Sequence, residues 1–191
     1  PGAQQVLRLL SEWRGDTSSS SQGAAVYHVF ADRLFRAFFE PALGAELLTR
    51  YLGIARSDPE RVMQILLRDA RLDSPQIFPW ATRAWVDQAV EKSLEDTWIW
   101  LSVSVDANRE QWHWGRLHLL QFRPLWPTGA LHDTALGPFP FGGSRGTVSS
   151  GECDATSPFV VRVASTFRSV IATENLEESL TVSVPGHTEY A

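Results

Sequence analysis

The chain contains one cysteine, one methionine and one lysine in 191 residues. A single thiol, Cys153, excludes an intrachain disulfide. Its neighbours Glu152 and Asp154 are acidic and nothing beside it lowers a thiol pKa, so it is a weak candidate nucleophile. Long apolar runs are missing. No stretch approaches the roughly 18 apolar residues that a membrane-crossing helix needs. Lysine is scarce and positive charge is nearly all arginine: Lys92 is the only lysine, and the net charge is −5 with a pI of about 5.5. The arginines form no basic stripe, which argues against a nucleic-acid partner. The serine run at 18–21 stands in no Gly-x-Ser-x-Gly context, so it does not read as a serine-hydrolase site. Gly142-Gly143-x-x-Gly146 lacks the Lys-Ser/Thr ending of a phosphate loop. No internal repeat is present.

Aromatic residues are abundant instead. Eight Trp and ten Phe in a chain of this length fill a large core or line a pocket, and core is the better reading for most of them. Length and the 43% hydrophobic, 20% charged composition fit an ordinary globular unit that buries a core.

The fold class expected is α+β, with a helical first half and antiparallel strands in the last third. The division expected is a helical segment over 1–107 and Trp/Gly/Pro-rich loops with strands over 108–191. A short helix covers Val6–Trp13 and ends at Gly15. A serine in 18–21 is placed to cap a helix over about 24–39. That helix carries Val26, Phe30, Leu34 and Phe38 on one stripe, widened by Val29 and Phe35, and Pro41 is expected to end it. Gly44–Leu52 reads as a short helix stopped by Gly53. Ser57 and Glu60 have capping-box spacing with Pro59 in the first turn, ahead of a helix whose inner face is Val62, Ile65, Leu66 and Ala70. The longest pattern runs over about 82–103. Val90, Leu94, Trp98 and Leu101 share a face, flanked by Val86 and Thr97, with Asp87, Glu91, Lys92, Glu95 and Asp96 on a solvated side. Residues 124–145 alternate Pro and Gly with aromatics and read as ordered loop. Residues 159–163 continuing into 165–171, and then 180–184, read as two antiparallel strands around a polar turn at 174–178.

One pair of motifs stands out: Trp112-His113-Trp114-Gly115-Arg116-Leu117-His118, and Gly142-Gly143-Ser144-Arg145-Gly146-Thr147-Val148. Two Trp before a Gly, with His three residues on, is an improbable accident. The pair resembles the C-terminal part of the β-subunit of penicillin acylase-type amide hydrolases, which are N-terminal-nucleophile hydrolases. Trp112-x-Trp114-Gly115-x-x-His118 matches that family's Trp-x-Trp-Gly-x-x-His. Pro140-Phe141-Gly142-Gly143 with Thr147-Val148 resembles its Gly-Gly and Thr-Val turn and strand. Leu10-x-x-Trp13-x-Gly15 resembles a Leu-x-x-Trp-Asp-Gly segment, with Arg14 in place of Asp. Thr166-Phe167-Arg168 is similar to a Ser-Phe/Tyr-Arg before a strand. Arg123-Pro124 stands where His-Pro is usual, and Pro185-Gly186 opens a Pro-Gly-Gly loop but departs at His187. Order and spacing together make the likeness specific.

The resemblance implies part of an αββα fold and an enzyme cleaving linear amides of β-lactams, acyl-homoserine lactones or similar N-acyl compounds. It implies a nucleophile, usually Ser, at the N-terminus of the β-subunit, whose α-amino group serves as base, and an oxyanion hole with an Asn side chain. Pro1 has a secondary amine and no nucleophilic side chain. The chain is therefore expected to be a non-catalytic C-terminal fragment, with no catalytic residue of its own and no cofactor. The family's calcium ligands lie mostly elsewhere. Its expected partners are the α-subunit and the N-terminal part of the β-subunit, with self-association through exposed apolar surface. A periplasmic or secreted location follows from the resemblance alone. The start at Pro1-Gly2 and the end at Tyr190-Ala191 read as cuts in something longer.

Trp13, Trp112, Trp114, Gly115, His118, Gly142, Gly143, Thr147, Thr166 and Arg168 are the motif residues, expected to be structural or to support a pocket. His118 lacks partners at metal spacing, since His113 is five residues away and no Glu or Cys completes a set. A structural His bonded to backbone is the better reading. Trp112 and Trp114, if on a strand, face the same way, as core rather than acyl pocket. The alternative function is a standalone binding or structural domain that kept the scaffold.

Overall fold

The computed structural model describes residues 1–53, 58–72, 74–122, 136–154, 157–165 and 167–183. Ser57, Arg123-Pro124, the first part of the Pro/Gly-rich stretch, Thr166 and the Pro185-Gly186-His187 segment lie outside the described residues. Four helices come first: α1 Gly2–Glu12, α2 Gln22–Leu52, α3 Pro59–Asp69 and α4 Arg83–Ser104. A 3-10 turn at Arg109–Gln111 and the one-turn α5 Trp114–Leu117 lead into strands β1 Leu119–Phe122, β2 Leu136–Pro140, β3 Gly151–Asp154, β4 Ser157–Ala164, β5 Phe167–Val170 and β6 Leu180–Ser183. The fold is α+β. Among the described residues no helix is long and apolar enough to cross a membrane.

Local chemistry sets the helix starts. Ser21 accepts the Ala24 N–H and caps α2, and Thr82 does the same for α4 from Trp85. At α3 the capping side chain is Asp58, which accepts the Arg61 N–H, with Pro59 in the first turn. The long helix does not stop at Pro41. The break falls at Gly44 (φ 75°, ψ 158°), a left-handed angle that only a residue without Cβ adopts freely. Pro41 stays inside the helix three residues before that break, where its nitrogen cannot donate the usual bond to the carbonyl four residues back. The inner face of α3 is also rotated from expectation. Met63, Leu66 and Ala70 are buried, while Ile65 is exposed.

Two apolar clusters result. One joins α1, the start of α2 and α4 to Trp112, Trp114 and Phe159; the other joins the middle and end of α2 to α3 and the start of α4. Asp69 lies at the end of α3. Its carboxylate accepts the backbone N–H groups of Gln76, Ile77 and Phe78 at 2.8–2.9 Å, closing the connector into α4.

The strands differ from expectation in three ways. First, the apolar run at 159–171 is split. Ser165 exchanges backbone and hydroxyl bonds with Ser150, ending β4, and β5 begins a separate ribbon with β6. Second, the four-stranded sheet has the order β2-β1-β4-β3, and β1 runs parallel to β4, so the strands are not all antiparallel. The long excursion between β1 and β4 permits that direction, which a short turn forbids. Third, the Pro/Gly-rich stretch contributes a strand, β2. Pro138 and Pro140 fit there because β2 lies at the sheet edge, where ladder donors are dispensable. The antiparallel pairing of β5 with β6, Val170 opposite Leu180, follows the expected pattern.

Candidate functional site

The Trp112–His118 motif does not form a strand. Asn108 caps the 3-10 turn through the Glu110 N–H, and the chain then turns into α5 at Trp114. Trp112 and Trp114 are both fully buried, yet they serve different neighbours. Trp112 meets Trp98 of α4 edge-on at 5.1 Å, and its indole N–H donates to the Asp106 carbonyl at 2.7 Å. Trp114 instead donates its indole N–H to the Gly143 carbonyl at 2.8 Å.

Trp114, Gly115 and His118 bind two other segments. The N–H groups of Trp114 and Gly115 donate to the carbonyls of Ser21 and Ser19, at 3.0 and 2.7 Å. Gly115 is required by this approach. A Cβ there would lie 2.8 Å from Cβ of both Pro140 and Ser19, closer than real contacts allow. The Phe141 N–H donates to the His118 carbonyl at 2.9 Å, and the Gly143 N–H donates to the Thr17 carbonyl at 2.6 Å. Gly143 has φ 84°, and a Cβ on it would overlap the Ser149 carbonyl oxygen. Gly142 passes so near Thr17 and Ser19 that a Cβ would sit 3.1 Å from the Thr17 carbonyl oxygen. The motif thus ties segment 17–21 to segment 141–151.

The rings form a stack. Trp114 lies between two imidazoles, His28 of α2 at 4.3 Å and His118 at 4.4 Å, with interplanar angles of 18° and 13°. Phe159 of β4 meets Trp114 edge-on at 6.3 Å. Both nitrogens of His118 face carbonyl oxygens, Nδ1 that of Phe141 at 2.9 Å and Nε2 that of Gly151 at 3.3 Å. A neutral imidazole donates from one nitrogen only, and the shorter contact assigns the proton to Nδ1. Burial pushes the His118 pKa below its ordinary value, partly opposed by the two carbonyls. Burial, with repulsion from His118, brings His28 down to about 4, and its Nε2 has no partner among the described residues. Both rings are therefore neutral at neutral pH.

The remaining motif residues serve nearby turns. Trp13 meets Tyr27 in a tilted contact at 5.0 Å and donates to the Asp16 carbonyl at 2.7 Å, folding the chain into segment 17–21. Arg14, the departure from the resembling motif, is exposed. Thr147 does not lead a strand. Its hydroxyl accepts the Ser144 N–H at 2.8 Å and donates to the Ser149 carbonyl at 2.9 Å, closing a turn on which Val148 is fully exposed. Arg168 pairs through its backbone with Val182 in the separate ribbon. His113 bonds the Ser20 carbonyl through Nδ1 at 3.0 Å.

Sequence reasoning missed His28, Phe159 and the carbonyls of 17–21. No local signal marks them, because each meets the motif only after the helices pack on the sheet.

The Cys153 thiol is pushed up to about 12 by burial and the neighbouring Glu152, so it stays protonated. Among the described residues no three His, Cys, Asp or Glu side chains converge as metal ligands. An open groove of about 490 Å³ lies elsewhere, lined by Pro1, Gly2, Gln5, Glu95, Trp98 and Arg109.

No curated protein matches the chain. The family model described as penicillin amidase matches residues 1–190, which takes in the Trp/His stack and the glycine turn together. The chain belongs to the penicillin amidase family.

Proposed function

We propose that this chain supplies the non-catalytic C-terminal part of an acylase-like amide hydrolase. In this reading the nucleophile, its base and the oxyanion Asn come from a part of the enzyme outside these residues, together with an α-subunit. The observation that carries the reading is how the polar groups of the motif are used. The Trp112, Trp114 and His118 side chains all bond backbone carbonyls. A general base must instead present a lone pair to a substrate or nucleophile proton. Trp114, Gly115, His118, Gly142 and Gly143 act as a brace between segments 17–21 and 141–151. Trp13, Trp112 and Thr147 secure the elements around that brace. The rigidity so gained holds the surface on which the catalytic part rests.

Hydrolysis of a chromogenic acyl-anilide tests this. The chain by itself is expected to turn over nothing above the buffer rate. Turnover that disappears in His118→Ala or Cys153→Ala would refute the reading and make this chain an enzyme in its own right.

A further inference from the structure

The ribbon of β5 and β6 stands apart from the stack. Its strands pair with each other, and among the described elements they pack extensively on nothing else. A lone two-stranded ribbon is marginal in water. Val170 and Leu180 are direct cross-strand partners, so they share one face. They are 70% and 69% exposed, and Ile171 and Leu176 beside the connecting turn are 64% and 71% exposed. Single exposed aliphatics are ordinary, but a concentration of them marks an interaction surface.

The turn adds charge of one sign. Glu174, Glu177 and Glu178 are exposed; no Lys, Arg or His occurs in the turn or in β6, and the ribbon's basic residue is Arg168 of β5. Asn175 fixes the turn: it caps the 3-10 segment Leu176–Glu178 through the Glu177 N–H and donates its amide to Glu178 at 3.0 Å. The Ala172 N–H donates to the Ser179 hydroxyl at 3.1 Å and closes the base of the turn.

We propose that this apolar, acid-rimmed ribbon docks a polypeptide partner whose contact surface is apolar and edged by Lys or Arg. Charge separates the possible occupants. Anionic lipid and nucleic acid are repelled by the three glutamates. A second copy of this chain brings the same glutamates and a net charge of −5. A cationic rim instead gains attraction on approach and lets the aliphatic side chains leave water. The proposal does not depend on the hydrolase reading, because its test reads binding and not turnover.

The test uses the whole chain and a fluorescein-labelled amphipathic peptide of Leu and Lys, followed by anisotropy. Binding is expected, and it should weaken several-fold when salt rises from about 50 to about 300 mM and the Debye length shortens. V170S/L180S and, separately, E174Q/E177Q should each lose at least tenfold in affinity. The control D87N/E91N removes the same charge from the exposed face of α4 and should bind as the parent does. Near-UV circular dichroism of the tryptophans reports whether the body is intact. If V170S/L180S loses that signal, the exposed glutamate pair decides. Equal binding by a Leu/Glu peptide, unchanged affinity in E174Q/E177Q, or an equal loss in D87N/E91N would overturn the proposal. So would a dimer in sedimentation that V170S/L180S dissociates, since the occupant would then be a second copy.

Discussion

Replacing Trp114 by Phe removes one donor and part of one ring from the centre of the stack. The indole N–H bonds the Gly143 carbonyl at 2.8 Å in a fully buried setting. Losing that donor leaves a buried carbonyl unpaired, which costs about 1–3 kcal/mol. Phe is smaller than Trp by about 40 Å³, and at about 24 cal/mol per Å³ of residual cavity this adds about 1 kcal/mol. His28 and His118 also lose the wide face on which both are stacked. The sum is a loss of about 2–4 kcal/mol, or a fall in Tm of about 4–16 °C at 2–4 °C per kcal/mol for a chain of this size. Urea unfolding followed by far-UV circular dichroism is the suitable assay, because eight tryptophans make fluorescence hard to assign. The midpoint should fall with an unchanged slope. Trp80→Phe, at a residue 45% exposed, serves as the control and should cost under about 1 kcal/mol. Equal midpoints for the two variants would refute the reading of Trp114 as the brace.

Gly115→Ala drives a methyl against Pro140 and Ser19 and should cost about 1–3 kcal/mol by overpacking, read by the same urea titration. Because His28 sits at about 4 in the fold against 6.5 when unfolded, the unfolded chain binds more protons between those values. Stability should therefore be full above pH 6.5 and fall by up to about 3 kcal/mol as pH drops to 4, and His28→Phe should flatten that slope. Burial pushes the Asp69 carboxyl up, but the N–H groups of Phe78, Gln76 and Ile77 outweigh burial and hold it below the usual carboxylate value. Asp69→Ala should speed amide hydrogen exchange at those three residues, with little change at the Trp114 hub; protection unchanged at all three would refute the clamp.

Much of the helical part was legible because its signals are local. Ser21 and Thr82 are caps read from their own positions, and the stripes of α2 and α4 follow from helical period alone. Where two local signals compete, sequence ranks them poorly. Pro41 looked like the end of a helix that in fact breaks at Gly44, and Ser57 looked like the cap of a helix for which Asp58 supplies the side chain. The strands were harder. A run such as 159–171 shows β-branched residues but not where its ladder changes partner, and β2 is hidden by its prolines until its place at the sheet edge is known.

The sequence by itself determined the helical stripes, the two spaced motifs and, through their order, the penicillin amidase kinship. It also determined the exclusions: no intrachain disulfide, and no apolar run long enough for a membrane-crossing helix. Only the tertiary structure decided what the motif residues touch. Whether His118 bonds carbonyls or faces a substrate, and whether Gly115 and Gly143 are indispensable, depends on Ser19, Phe141, Ser149 and Gly151 arriving from distant parts of the chain. Helical period and capping involve neighbours a few residues apart, so sequence carries them. Stacking of His28 on Trp114 joins residues far apart along the chain, and packing alone brings them within contact.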